Sequence, residues 1–533
     1  MPSSERPRFD LTREPWIPCE TLAGTHVELG FEDVLVRAHE LAGVHDESPL
    51  ATAMIYRLLL AILHRAADGP RSTAAWEKLW NEPRFDPLRV RTYLDRWRHR
   101  FDLFDPERPF LQVPRLAAGL FAERQGKEAE TTPVRRLALE RSGYSGAAQL
   151  LEHGGDGAGL PPAEATRAML GFLGFGPGGR ILNDSGYPRA CPLRAGAVVL
   201  ARGETLHRTL LLNLLVLERD RPLPGAGGAS DVPAWEQDTT ASRTKRAVRG
   251  WLDALTWQAR RVELVPHVTE AGLVVRDVVT GVGVEPEGDW TEPMQALLVR
   301  DPKRGPEPLR FDPDRSLWRD STALFEAASV SEGHRRPAVC SQIARLVEEE
   351  ILERGAGLAL DLYGLASSQA AIELWRAERM PLPVRLLTDA ERIEGLREAL
   401  RAAHAVGSAL RSSVWRLASA ALASGERSPD KKDVSSLVDR LATEPRYWSS
   451  LGAAFDELIR RLGTDEDTEA SLRWWKEIAR KAARRSLDDG ARQLGTNARA
   501  FRARALAERT LAYELAKLSP ATTSTPTQEG ATA

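Results

Sequence analysis

The stretch Met380-Pro-Leu-Pro383 divides the chain into two compositions, and the fold class is read outward from it. Downstream, from about 387 to 517, the sequence is rich in Ala, Leu, Arg and Glu. Only Pro429 and Pro445 interrupt it before Pro520. Apolar residues recur there at three- and four-residue intervals, the period of an amphipathic helix. The spacing predicts helical segments at about 387–424, 431–443, 446–463 and 467–517. Breaks fall at Ser424-Gly425, at Glu444-Pro445 and around Gly463-Thr-Asp-Glu-Asp467, with a further break near Gly490 or Gly495. Long helices with short connections make an antiparallel bundle. The tail 518–533 is small, polar and Pro-containing, a composition expected to be disordered.

Upstream of the same stretch, Gly and Pro are frequent and apolar runs are short. Ala197–Ala201 and Gly272–Arg276 read as strands between turns. Ser48-Pro49 opens a run that is apolar nearly all round, the pattern of a capped, buried helix. Thr205 opens another. The expected fold class is therefore α+β: a mixed N-terminal domain over 1–385 followed by a four-helix bundle over 386–517.

The chain has 533 residues, enough for two or three domains with real cores. Lys+Arg total 73 and Asp+Glu 75, a formal net charge of −2. That balance argues against a protein that coats nucleic acid by bulk positive charge, though not against a local basic face. Three cysteines, Cys19, Cys191 and Cys340, are too few for a disulfide framework or a four-thiolate zinc site. The N-terminus has no apolar signal segment, and charged residues interrupt the apolar stretches, so the expectation is a soluble, cytoplasmic chain with no membrane span.

Catalytic motifs are sparse. Neither a Walker-type phosphate loop, a G-x-S-x-G elbow nor an H-E-x-x-H pair occurs. His45-Asp46 forms an HD dipeptide, the ligand pair of one class of metal-dependent hydrolases, with no partner histidines nearby. The segment Gly171–Arg180 is dense in glycine. It reads as a surface loop, or, with Arg180 following, as a cradle for phosphate. Gly355–Ile372 places a small-residue turn after an apolar run. A helix-like segment, Ala370–Met380, follows, with Ser367 or Ser368 as its cap and Gln369 near its start. A protruding glutamine there could read base edges. Arginine concentrates at Leu88–Phe101 and again at 473–509, where eleven Lys/Arg stand against four Asp/Glu, a local excess of +7. Arg473, Lys476, Arg480, Arg484 and Arg485 can line one helix face, suited either to solvent or to a phosphate backbone.

Several segments, taken in order, resemble one family. Phe9-Asp-Leu-Thr-Arg-Glu-Pro-Trp-Ile-Pro18 is similar to the opening signature of CasA/Cse, the large subunit of the type I-E CRISPR surveillance complex, Cascade. Ser48-Pro49 with Arg57–Arg65, Phe101–Gln112, Gly203–Leu215, and Leu255–Gln258 with Arg260-Arg261 agree in order, as does the run at 368–372. The resemblance spans most of 9–385, and the helical remainder fits the family's C-terminal bundle.

The resemblance implies a non-catalytic subunit that reads the protospacer-adjacent motif (PAM) of double-stranded target DNA from the minor groove. It implies a start of strand separation for R-loop formation and recruitment of a helicase–nuclease. It implies other Cascade subunits and crRNA as partners. Gly176, Pro177, Gly178 and Gly179 fall on the family's glycine loop along the PAM. Gln369 falls on its wedge, flanked by Ser368 and Ala370. The minor groove is narrow and its donor–acceptor pattern degenerate, which suits backbone approach through glycine and tolerance of several PAMs. A wedge spends a few kcal/mol of stacking to open the duplex. Arg473, Lys476, Arg480 and Arg484 are candidate backbone contacts. The chain departs from relatives in three places. Near Leu150–His153, at the place of a family loop that contacts nucleic acid, the residues do not match and no role is carried over. No Cys occurs at about 153–163 or 264–272, where some carry CxxC pairs, so no metal and no cofactor is expected. The neighbourhood of a PAM-probing lysine reads Thr280-Gly-Val-Gly-Val-Glu285, which leaves Lys303 or an arginine as the substitute. The alternatives are an HD-type hydrolase built on His45-Asp46 and a purely structural scaffold.

Overall fold

The computed structural model describes residues 6–123, 125–140, 159–179, 183, 188–238, 240–270, 272–288, 290–327, 333–368, 371–423, 428–464 and 466–518. The chain separates into two compact units, Met1–Thr388 and Asp389–Ala533. The first mixes helices and small sheets, and the second is helical throughout its described residues.

The N-terminal unit is built around the helix Pro49–Ala67. Ser48 Oγ accepts the Ala51 N–H, and Pro49 occupies the first turn, where its missing N–H costs nothing. By length and composition this helix could cross a membrane, but it is buried from Pro49 to His64. Beside it the first and third resembling segments meet. Trp16 packs edge-on against Phe31, Phe31 against Phe101, and Phe101 stacks on Phe110 at 5.2 Å between ring centroids. Trp16 Nε1 donates to Leu11 O at 3.0 Å, so this fully buried indole leaves no polar atom unsatisfied. Aromatic pairs of this kind add ~1 kcal/mol each beyond their burial.

Two antiparallel ladders matter for the site. Val198–Arg202, Gly357–Ser368 and Ala371–Pro383 form one sheet, with Gly357–Ser368 in the centre. Arg260–Thr269 pairs with Gly272–Val282 to form the second, extended by Thr132–Pro133. The strands expected at 197–201 and 272–276 are present, shifted or lengthened by a few residues. The segment from Ala371 is a strand rather than a helix. Its Ile372 and Met380 are buried, but Arg376 and Glu378 share the alternation of Met380 while Arg379 takes the opposite face, and its whole length pairs with the apolar Gly357–Ser368. Ladder bonding to that neighbour outweighs local helix propensity.

The C-terminal unit forms four columns. The helix Ala390–Leu422 is the first. The second descends in three pieces, Lys431–Leu441, Thr443–Ser450 and Gly452–Leu462. Thr468–Arg492 and Ala498–Lys517 complete the set. Arg392 donates to Leu462 O and Tyr447 Oη to Ala403 O, so the first and second columns run in opposite directions. Trp475 Nε1 donates to Ala399 O at 2.7 Å, and Arg504 pairs with Asp488, so direction alternates along the chain. The bundle breaks differ from expectation in two places: the segment expected at 446–463 is divided at Leu451, and the break expected at Glu444-Pro445 falls earlier. Pro445 sits in the first turn of a helix, and the turn before it is made by Ala442 at φ 46°. Proline is tolerated in a first turn, so it did not need to end the helix.

Candidate nucleic-acid interface

Half of the glycine-dense segment expected as a loop, Gly171–Phe175, is the buried end of the helix Pro162–Phe175, and the turn begins only at its cap, Gly176. The backbone of the turn is clamped against residues 188–191. Gly179 N donates to Pro188 O at 3.1 Å, and Cys191 N donates to Gly176 O at 3.0 Å. Beneath it lies Arg260, 1% exposed, whose guanidinium donates to Pro177 O at 2.7 Å, Arg189 O at 2.9 Å and Ala259 O at 2.8 Å. A buried guanidinium without a carboxylate is costly, and three carbonyl acceptors are what offset that cost here.

The glycines are therefore not alike. A Cβ at Gly176 would lie 2.8 Å from Phe172 O, and one at Gly178 would lie 2.8 Å from Ala190 N. Both positions need glycine because backbone packs on backbone within this chain. Gly179 has φ +93° and open space around its Cα. Gly176 and Pro177 are buried, whereas Gly178 and Gly179 are partly exposed. The outward part of the turn is thus Gly178-Gly179. Arg180, expected beside it, lies outside the described residues.

The second element is the ribbon of Gly357–Ser368 and Ala371–Pro383. Its base is fixed by Asp361, 5% exposed, which takes Arg379 from one flanking strand at 2.6 Å and Arg202 from the other at 3.2 Å. Tyr363 Oη donates to the same carboxylate at 3.3 Å. Val198–Arg202 pairs only as far as Tyr363, so from Gly364 onward the ladder has two strands. Its register ends with Ser368 opposite Ala371. Only Gln369 and Ala370 stand between them in sequence, and both lie outside the described residues.

The basic stretches behave differently from each other. In Leu88–Phe101, Arg91 pairs with Glu32 at 2.8 Å and Arg98 with Asp10 at 2.6 Å. Arg100 donates to Gln237 O, so the stretch binds the unit to itself. In the helix Thr468–Arg492, Arg473 pairs with Glu469 and Asp467, and Lys476 pairs with Glu398. Arg480 also has a partner. Arg484 and Arg485 are exposed.

No cation replaces the missing lysine within Thr280–Glu285. Thr280–Val282 belong to a strand, and the adjacent Arg261 is buried and held bidentately by Glu123 at 2.7 and 3.0 Å. Lys303 is exposed on a turn. His45 is exposed, but Asp46 is already engaged. Its carboxylate takes the Ser48 N–H at 2.7 Å and Arg167 at 2.9 Å, which fixes the start of the helix Pro49–Ala67. Among the described residues, no group of three or more His, Cys, Asp and Glu side chains could hold a metal ion.

Sequence reasoning missed the Arg260 brace and the Asp361 clamp. Asp361 interrupts the apolar run Gly357-Leu-Ala-Leu-Asp-Leu, which was the available signal; Arg260 opens its strand beside Arg261 and carries no such signal.

Comparison with known proteins agrees with this architecture. Residues 10–486 match the family described as CRISPR-associated protein Cse1. The chain is 34% identical to the CRISPR-associated protein CasA/Cse1 of Thermus thermophilus, over 96% of this chain and 98% of the relative. The crystal structure of Thermus thermophilus CasA superposes with a TM-score of 0.79 at 33% identity, covering 96% of this chain and 100% of that one. A chain of a CRISPR RNA-guided surveillance complex shares the fold, with a TM-score of 0.71 at 23% identity over 95% of this chain and 99% of that one. The segments that meet in the aromatic core and beneath the glycine turn are thus those of a known family, and the chain belongs to the CRISPR-associated Cse1 (CasA) family.

Proposed function

We propose that the chain is the large subunit of a type I-E Cascade ribonucleoprotein and recognises the PAM of double-stranded target DNA from the minor groove. It starts strand separation for R-loop formation and provides the platform to which the helicase–nuclease is recruited. Its partners are the other Cascade subunits, crRNA and target DNA. It works in the cytoplasm, with no membrane, cofactor or metal, and carries out no catalysis itself.

The observation that carries this reading is the two-stranded ribbon, rigidly clamped at its base by Asp361 and closing to two residues, Gln369-Ala370, at its other end. A wedge must resist the duplex it opens, and unstacking a step costs a few kcal/mol. A paired ladder anchored by a buried carboxylate suits that load better than a free loop. Gly178-Gly179 supplies the small backbone surface that a narrow groove admits.

The test is Gln369→Ala in a complex reconstituted with crRNA. The variant should assemble normally but form R-loops on a correct-PAM duplex at least ~10-fold more slowly, equivalent to ~1.4 kcal/mol. R-loop formation at the wild-type rate would remove Gln369 from this role. Equal binding of PAM and PAM-mutant duplexes, with and without this subunit, would favour a scaffold instead.

A further inference from the structure

A groove of about 430 Å³ lies in the N-terminal unit, on the helix Ala338–Glu348 and the segment 215–222. Its floor is apolar, with Leu215, Val216 and Pro293 among the lining residues. Its rim carries four guanidinium groups, from Arg221, Arg335, Arg336 and Arg345, against one carboxylate, Glu218.

The charges on that rim are unevenly satisfied. Glu218 is shared by Arg345 at 2.5 Å and Arg221 at 3.6 Å, and Arg345 also pairs with Glu349 at 2.8 Å. The other two guanidinium groups donate to neutral oxygens. Arg335 donates to Thr291 Oγ1 at 2.7 Å and Glu292 O at 3.0 Å. Arg336 donates to Ser341 Oγ at 3.2 Å, Phe325 O at 3.1 Å and Leu387 O at 2.8 Å. One oxygen of the Glu292 carboxylate is held by Arg57 at 2.9 Å; the other is buried without a hydrogen-bond partner and makes no ion pair with Arg335. Burial pulls both guanidinium groups below their ordinary pKa, with acidic neighbours only partly opposing it. Neutral acceptors satisfy these donors but leave the positive charge unneutralised, so an anion entering the groove gains a charge-assisted partner on each.

The floor decides what kind of anion. A phosphodiester backbone is best held by a lining of free donors. Here the Val216 N–H is already spent on Gln342 Oε1 at 2.6 Å and the Leu217 N–H on Pro70 O at 2.8 Å, leaving an apolar surface. Such a floor takes an aliphatic side chain, and the rim takes carboxylates on either side of it. We propose that this groove docks an acidic segment of a protein partner, in which Asp or Glu flanks a leucine-sized anchor.

The probe is a fluorescein-labelled peptide of alternating glutamate and leucine, titrated into the full-length chain and read by anisotropy. Saturable binding that weakens with salt is expected, as is its loss when glutamine replaces every glutamate. The variant is Ser341→Glu. Ser341 is exposed in the first turns of its helix, so the change leaves the core untouched. The new carboxylate reaches Arg336 and competes with the probe, so affinity should fall by at least ~10-fold. Thermal stability should hold or rise, because an acidic residue there faces both Arg336 and the helix N-terminus. A merely damaged fold would lower both together. The proposal is overturned if the peptide does not bind saturably, or if Ser341→Glu binds it as well as the wild type. It is equally overturned if single-stranded DNA displaces the peptide at comparable concentration, which would make the groove a phosphate site.

Discussion

Gly178 and Gly179 are adjacent and look interchangeable in sequence, yet the structure gives them different work. At Gly178 the obstacle is backbone, which does not yield as a flexible side chain would. Gly178→Ala should therefore cost about 1–3 kcal/mol, the range for overpacking, and disturb the 188–191 segment that clamps the turn. At Gly179 the surrounding space is open and only φ +93° resists a side chain, so Gly179→Ala should cost about 1–2 kcal/mol. Urea unfolding of the two variants measures both. In the assembled complex the order should reverse for DNA, because Gly179 is the position with room for a groove wall. If Gly179→Ala left PAM-dependent binding intact, the outward face of this turn would not be the reading surface. The glycine density was visible from sequence. Its division into packing and outward positions was not, since residues 188–191 and Arg260 are brought to it only by tertiary structure.

At the scale of elements, legibility followed the period of the hydrophobic pattern. The helix Pro49–Ala67 and the bundle helices carry their caps and spacing in the sequence, and they formed nearly where expected. The strand Ala371–Pro383 did not announce itself, because charged residues fall on both of its faces and the pairing that fixes it comes from an apolar neighbour. The helix Thr468–Arg492 shows the same limit for charge. Its +7 neighbourhood was legible, but the acids that consume part of it were not, since Glu398 is 78 residues from Lys476 in sequence. Among the cations of this helix, those left to a phosphate backbone narrow to Arg484 and Arg485. Replacing both by Ala should lower the salt dependence of DNA binding by the reconstituted complex by about two counterions, a change of ~1.8 in the logarithmic slope. Lys476→Ala should leave the slope unchanged. Equal slopes for the double variant and the wild type would make this a solvated face.

At the scale of the whole molecule, the net charge of −2 conceals both the arginine-rich rim and the paired networks that absorb many of the cations, so neither a bulk nucleic-acid coat nor a neutral surface describes it. The same burial that hides charge sets a pH limit on the N-terminal unit. His64 lies within the core helix, fully enclosed, and its Nε2 accepts the Trp251 Nε1–H at 3.2 Å. Burial pushes its pKa down to about 3. His207 is pushed to about 4, first by burial and then by the charge of Arg208. In the unfolded chain both titrate near ~6.5. Below that pH the unfolded state binds protons that the folded state refuses, so stability falls as pH falls. The loss is about 1.4 kcal/mol per pH unit for each histidine, and it continues down to the folded pKa values. Asp320 and Glu123, whose arginine partners lower their pKa values, add losses only further down, in the carboxylate range. Between pH 6.5 and 5 the histidine contribution should therefore approach a slope of ~2.7 kcal/mol per unit as both become protonated in the unfolded chain. His64→Gln keeps an acceptor for Trp251 and removes one titration, so it should roughly halve that slope whatever it does to absolute stability. Urea unfolding followed by tryptophan fluorescence at several pH values in this window gives the slope directly. An identical slope in the variant would mean that His64 is not held neutral in the folded protein.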